Sequence, residues 1–158
     1  NGDDVLVGDS GEIWIRGENI FAGYLDDPEA TARVITRDGW LRTGDIAVVD
    51  DDGHLYMVDR MKDLIIVSGF NVFPAEVEGV LSAHPDIAEV VVVGTPHPHT
   101  GEAIRAYVVT RNSVHLDEDA IIDYCRTKLA RYKCPSKVLF VEALPRNLTG
   151  KVQRFALR

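Results

Sequence analysis

Residues 59–78 read Asp59-Arg60-Met61-Lys62-Asp63-Leu64-Ile65-Ile66-Val67-Ser68-Gly69-Phe70-Asn71-Val72-Phe73-Pro74-Ala75-Glu76-Val77-Glu78. A charged stretch gives way here to two apolar runs, Leu64–Ser68 and Asn71–Phe73, which read as short strands on either side of Gly69. Pro74 and the acids behind it open a helix reaching about His84, because proline fits the first helical turn and carboxylates favour it. The change of character sets a domain boundary near Asp59–Lys62. Glu76 is expected to be the inward acid of this helix, since residues two apart do not share a helical face.

Downstream, Ile87–Gly94 is nearly all apolar and is expected to be a central strand. Ala103–Thr110 is a second strand. Asp117 to about Arg131 is an amphipathic helix with Ile121, Ile122, Cys125 and Leu129 at helical spacing. Val138–Val141 is another strand, and Gly150–Arg158 a short final helix. That order predicts an α+β fold, a short mixed sheet flanked by helices. Upstream, Glu12–Arg16 alternates like a strand. Asp26-Asp27-Pro28-Glu29-Ala30 starts a helix that Asp38-Gly39 ends. Ile46–Val49 and Leu55–Val58 flank Asp50-Asp51-Asp52-Gly53 as a hairpin. Residues 1–59 are therefore β-rich, and 60–158 form the α+β unit. No internal repeat or low-complexity linker is visible.

The chain has 158 residues, enough to bury a core in one domain or two small ones. It opens on Asn1-Gly2-Asp3-Asp4, without an initiator methionine or targeting segment, so a piece of a longer protein is expected. The longest apolar runs, Leu64–Val67 and Val90–Val93, fall far short of a bilayer span. Two cysteines, Cys125 and Cys134, without a CxxC pair or histidines at ligand spacing, suit filler thiols in a reducing cytoplasm better than a metal or redox pair. The net charge is −8, yet from Arg126 to Arg158 the bases Arg126, Lys128, Arg131, Lys133, Lys137, Arg146, Lys151, Arg154 and Arg158 face only Glu142. That tail suits a phosphate-rich small molecule; nucleic acid ranks lower because interleaved aromatics are few.

Taken singly, most motifs have bland readings. Leu148-Thr149-Gly150-Lys151 is no P-loop: Pro145 stands where the first glycine belongs and Val152 replaces the Ser/Thr that would hold magnesium. A lysine beside a glycine is ordinarily a surface lysine in a turn. His97-Pro98-His99 reads as an exposed loop, the triple aspartate as a solvated turn, and Ser68-Gly69 lacks the surroundings of a hydrolase nucleophile. No metal site is expected. Read jointly, Arg42-Thr43-Gly44-Asp45 offers a turn whose Asp45 carboxylate has two acceptor oxygens for a pair of sugar hydroxyls. Arg60 and Lys151 supply positive charge for phosphates and a reacting carboxylate.

Across nearly its whole length the chain resembles the AMP-forming acyl-CoA synthetase, or adenylate-forming, superfamily. The resemblance rests on Gly11–Gly17 with Gly23-Tyr24, Trp40–Asp45, Asp59–Asp63, Ser68–Glu76, Leu129–Pro135 and the Lys151 loop, in that order. Lys62–Pro74 looks most like bacterial medium- or long-chain fatty-acyl-CoA ligases. The resemblance implies that residues 1–59 are the tail of a large N-terminal domain and 60–158 a mobile C-terminal domain. It implies Lys151 as catalytic residue, Asp45 and Arg60 as nucleotide contacts and Lys62 as hinge. Ser68, Gly69, Phe70, Asn71 and Glu76 would line a pantetheine channel, with Arg131 and Lys133 as contacts for coenzyme A phosphates. ATP, coenzyme A and a fatty acid are the implied ligands, with Mg2+ held mainly by the large domain; membrane-peripheral and homo-oligomeric forms are compatible with it. The family's phosphate loop and Tyr-Gly-x-Thr-Glu segment are absent here, so this chain alone is expected to be inactive. Loading of an aryl or amino acid onto a carrier protein, or non-catalytic docking of coenzyme A or a carrier, are the competing readings.

Overall fold

The computed structural model describes residues 4–111 and 114–158; the opening Asn1-Gly2-Asp3 lies outside them. The chain divides into two compact units, Asn1–Lys62 and Asp63–Arg158.

The first unit is a three-stranded antiparallel sheet in the order β1 (Ser10–Ile15), β2 (Leu41–Val49), β3 (Leu55–Arg60), with helix α1 (Pro28–Val34) between β1 and β2. Asp27 caps α1, its side chain accepting from the Ala30 N–H at 2.8 Å, and Pro28 takes the first helical position. The helix stops at Val34, short of the expected Asp38-Gly39. Val34, Ile35 and Thr36 are β-branched, and Thr36 turns the chain instead: its Oγ1 accepts from the Trp40 N–H at 3.0 Å and its own N–H reaches the Trp40 carbonyl. Strand β2 also begins earlier than expected and takes in Arg42–Asp45. The β2–β3 hairpin closes as anticipated, with Asp50 Oδ1 accepting from the N–H groups of Asp52 and His54. Those bonds, that to His54 foremost, hold the Asp50 carboxyl below its usual range.

The second unit is a five-stranded mixed sheet flanked by helices, as the α+β reading expects. Its order is β5 (Phe70–Val72), β4 (Ile65–Val67), β7 (Gly101–Thr110), β6 (Ile87–His97), with β8 (Lys137–Phe140) pairing parallel to β7. Helices α2 (Pro74–Ser82) and α3 (Glu118–Arg126) bring Val77, Leu81, Ile121, Ile122 and Cys125 into one core with Ile65, Val72, Val92, Ile104 and Val108. A second cluster, Val91, Val93 and Leu144 with Val152 and Leu157, covers the other face. Strand β6 is thus at the sheet's edge, not its centre. It is apolar on both sides because helices cover Val92 and the C-terminal segment covers Val91 and Val93.

Two further expectations are corrected. Helix α3 ends at Arg126, where Thr127 Oγ1 donates back to the Tyr124 carbonyl at 2.7 Å, and a separate 3-10 turn follows at Arg131–Lys133. The terminal helix is only a 3-10 turn, Arg154–Leu157, because Gly150 sits at φ +83° and Val152 pairs with Arg146 in extended form.

Glu118 ties α3 to β8, accepting from the Val138 N–H at 2.9 Å and from Lys137 Nζ at 3.1 Å. These bonds, the backbone one first, hold its carboxyl below the usual range. A depressed folded-state pKa contributes stability above the unfolded value and loses it as pH falls through the folded one. Glu118→Gln is therefore expected to flatten the acid limb of an unfolding-midpoint titration below about pH 4.3, the ordinary glutamate value. An acid limb as steep as that of the parent protein would deny Glu118 this part.

Candidate active site

In the first unit, Asp45 and Arg60 are directly opposed across the β2–β3 ladder. Arg60 Nε lies 3.2 Å from Asp45 Oδ1, both side chains remaining partly open to solvent. The backbone around Asp45 is irregular for a reason. Gly44 adopts φ +73°, and the ladder shifts register beside it, between Glu12 and Trp14 in β1 and between Ile46 and Ala47 in β2. Such a bulge re-aims the following side chain, and only glycine takes that φ without steric cost. Glu12 holds the bulge: its carboxylate accepts from the Gly44 N–H at 3.0 Å, from Trp14 Nε1 at 2.8 Å and from Arg42 Nε at 3.4 Å. Thr43 Oγ1 donates to the Ile13 carbonyl and accepts from the Asp45 N–H. Glu12 was not singled out from sequence, although its place in the Gly11–Gly17 motif was the available signal. Lys62 lies in the 3-10 turn Met61–Asp63.

In the second unit, Ser68 and Gly69 form the two-residue turn between β4 and β5, at φ +51° and +84°. Paired left-handed residues match the twist of a tight hairpin. The Ser68 N–H donates to the Thr100 carbonyl at 2.8 Å, and Glu102 accepts from the Ile66 N–H, so the hairpin is pinned to the start of β7. No atom lies within 4 Å of where a Cβ on Gly69 would stand; its backbone angle, not crowding, requires glycine.

The hairpin meets the Arg131–Lys133 turn. Phe70 stacks on Tyr132 with ring centroids 4.7 Å apart, and Lys133 Nζ lies 2.7 Å from both Glu76 oxygens. Phe70, Glu76 and Lys133 are thus brought together, with Asn71 exposed beside them on β5. Arg131 is exposed and makes no ion pair among the described residues, whereas the Lys133 charge is already matched by Glu76. Glu76 is the outward acid of α2 and Glu78 the inward one, reversing the expectation. Glu78 accepts from the Val92 N–H at 2.7 Å and pairs with Arg154 through both oxygens, while Arg154 also donates to the Val92 carbonyl at 2.8 Å. The ion pair takes the place of a neighbouring strand along the open edge of β6.

The basic tail is largely neutralised by folding. Lys137 pairs with Glu118, Arg146 with Glu89, Arg158 with Asp63 and Arg154 with Glu78 and Asp63. Lys151 differs. It is exposed, and among the described residues its ammonium has no hydrogen bond or ion pair. Its backbone is fixed within a closed loop over Asn147–Lys151, with Gly150 at φ +83°. An unpaired ammonium on a fixed loop is suited to accept anions without first breaking a contact.

Other reactive groups are quiet. Burial pushes the Cys125 thiol up to about 11 and the Cys134 thiol in the same direction, so neither is a thiolate near neutral pH. Asp50, Asp52 and His54 have ligand atoms within 4.8 Å of one another, but Asp50 is committed to the turn. Among the described residues no helix is long and apolar enough to cross a membrane.

Residues 76–151 match the family model of the AMP-binding enzyme C-terminal domain. A methyl-dioxo-octahydroindenyl-propanoyl:CoA ligase of Rhodococcus jostii is 50% identical over 157 residues, covering 99% of this chain and 30% of that protein. A long-chain-fatty-acid–CoA ligase of Salmonella typhimurium is 46% identical, covering 98% of this chain and 27% of that one. The crystal structure of ATP-bound MatB from Rhodopseudomonas palustris superposes with a TM-score of 0.92 at 40% identity, over 98% of this chain and 31% of MatB. The chain thus spans less than a third of the length of these relatives.

Proposed function

Because this chain belongs to the adenylate-forming ligase superfamily and carries its C-terminal domain, we propose that it is part of an ATP-dependent, AMP-forming fatty-acid:CoA ligase of the cytoplasm. The observation that carries the proposal is Lys151: a solvent-facing ammonium without an acid partner among the described residues, on a loop tied by its own hydrogen bonds. In this reading residues 1–59 are the tail of the large domain and 60–158 the mobile domain, pivoting at Lys62. The first step joins two anions, a carboxylate and the α-phosphate of ATP, so its barrier is largely electrostatic. A carboxylate oxygen attacks the α-phosphorus, the bond to the bridging oxygen breaks, and pyrophosphate leaves. Lys151 supplies positive charge to carboxylate and phosphate oxygens, while Asp45 and Arg60 hold the nucleotide.

In the second step the sulfur of coenzyme A attacks the acyl carbon, AMP leaves, and the thiol proton passes to solvent. The Ser68–Asn71 hairpin with Glu76 lines the pantetheine path, and Arg131 is the freer of the two cations assigned to coenzyme A phosphates. Magnesium neutralises triphosphate charge in such reactions, and the proposal assigns it to the rest of the ligase. The phosphate loop being absent here, residues 1–158 alone should form no acyl-adenylate.

The test is a panel of acids given to the full-length ligase with ATP and coenzyme A. Straight-chain fatty acids are expected to drive pyrophosphate release and to end as coenzyme A thioesters. Release driven by aryl or amino acids, with transfer only to a carrier-protein thiol, would replace this proposal with carrier loading. No acid-dependent release at all would remove adenylation.

A further inference from the structure

We propose that Asn147 is the positioning residue for Lys151, the group that sets where the lysine backbone stands; this rests on the assignment of Lys151 made above. Asn147 grips its neighbour from both sides. Its Oδ1 accepts from the Lys151 N–H at 2.8 Å, and its own N–H donates to the Lys151 carbonyl at 2.9 Å. The same Oδ1 accepts from the Thr149 N–H at 3.1 Å and from Thr149 Oγ1 at 2.8 Å, while the Asn147 carbonyl accepts from the Gly150 N–H at 2.9 Å. Both backbone polar groups of Lys151 are therefore held by one residue four positions earlier.

Little else holds the tip of this loop. Leu148 is fully exposed, Thr149 and Gly150 are exposed, and the Lys151 side chain itself touches no acid among the described residues. Arg146 anchors one leg, donating to the Gly150 carbonyl at 2.7 Å while pairing with Glu89. That contact braces the peptide unit that joins Gly150 to Lys151 from its carbonyl side, while Asn147 holds the same unit by its N–H. A flexible four-carbon side chain gains its reach from Cα, so a loosened backbone spreads the ammonium over a wider volume. Of the contacts around this peptide, those of Asn147 are the ones made to both the N–H and the carbonyl of Lys151 itself. An amide suits it: it accepts several N–H groups locally and brings no negative charge that would attract the ammonium back onto the loop.

The experiment uses the full-length ligase and two half-reactions, acid-dependent pyrophosphate release and thioester formation from supplied acyl-AMP. Asn147→Ala is expected to slow the first by about tenfold, a sub-ångström displacement effect smaller than the ~10²-fold that a 1 Å misplacement can cost, and to leave the second unchanged. Asn147→Ser, whose hydroxyl can close a similar turn, is expected to recover part of the loss. In a Lys151→Ala background, Asn147→Ala is expected to add nothing, which a general structural role would not reproduce. If Lys151→Ala alone spares adenylation, the assignment of Lys151 falls, and this proposal with it. If Lys151→Ala is slow while Asn147→Ala runs at the parent rate, or if the two losses multiply, only the positioning role is overturned.

Discussion

On the proposed reading, alanine at position 151 of the full-length protein is expected to slow acid-dependent pyrophosphate release by about 10²–10³, the loss that follows removal of one preorganised electrostatic donor. The expectation follows from what the ammonium does not do in the free protein. Nearly every other cation near the carboxyl end is matched to an acid or, for Lys128, placed over the Tyr124 ring. Lys151 has no such contact among the described residues, so its charge is at hand when carboxylate and phosphate approach. The proposed role is position and charge rather than proton transfer, so Lys151→Arg, which keeps the charge on a bulkier head, should fall between the parent and the alanine variant. Thioester formation from supplied acyl-AMP should change little. Comparable losses in both half-reactions would strike Lys151 from its assigned place.

Glu78→Ala is expected to destabilise residues 63–158 by about 2–3 kcal/mol, the upper part of the range for hydrogen bonds to charged groups. The variant deprives the Val92 N–H of its acceptor and leaves Arg154, a mostly buried side chain, without its closest acid. Removing one partner of such a pair costs more than the pair contributed, because the survivor keeps its desolvation penalty. Amide exchange at Val92 should accelerate, and the denaturant midpoint should drop without a change in slope. Glu78→Gln, which keeps an acceptor and the packing, should lose less. Unchanged exchange at Val92 would show that the edge of β6 is sealed by something else.

The strands and the order of motifs were legible because both are written locally, in period-two alternation and in glycine-marked turns. The Ser68-Gly69 hairpin, the Asp50–Gly53 turn and the helix start at Pro74 all stand where the residues point. What escaped was non-local. Glu78 and Arg154 are 76 residues apart and Arg158 and Asp63 are 95 apart, so no window of sequence shows that the basic tail arrives with its charges already answered. For the same reason the apolar run at Val90–Val93 looked central. Its composition reports cover on both faces, which an edge strand can also have when the chain's end folds across it. Helix ends were overrun wherever a threonine turned its hydroxyl back on the main chain, as at Thr36 and Thr127, an alternative that apolar spacing cannot reveal. Of the candidate site, the Asp45–Arg60 pairing and the exposed turn of Lys151 stand in keeping with the sequence; the backbone contacts of Glu12 and Asn147 were not legible, since neither residue's type or spacing marks them out.

The two-sided covering of β6 has an evolutionary consequence. A sheet whose apolar faces are both shielded from within its own stretch of chain depends little on what precedes it. The portion following Lys62 can be inherited as a cassette, Lys151 travelling with the Asn147 that holds its backbone. The earlier portion, among whose described residues only Ile46 and Ala47 are buried while Leu55, Tyr56 and Met57 are exposed, has no such core of its own. Recombination therefore has a natural seam at this point, where what precedes Lys62 can be exchanged while the self-covered sheet is kept.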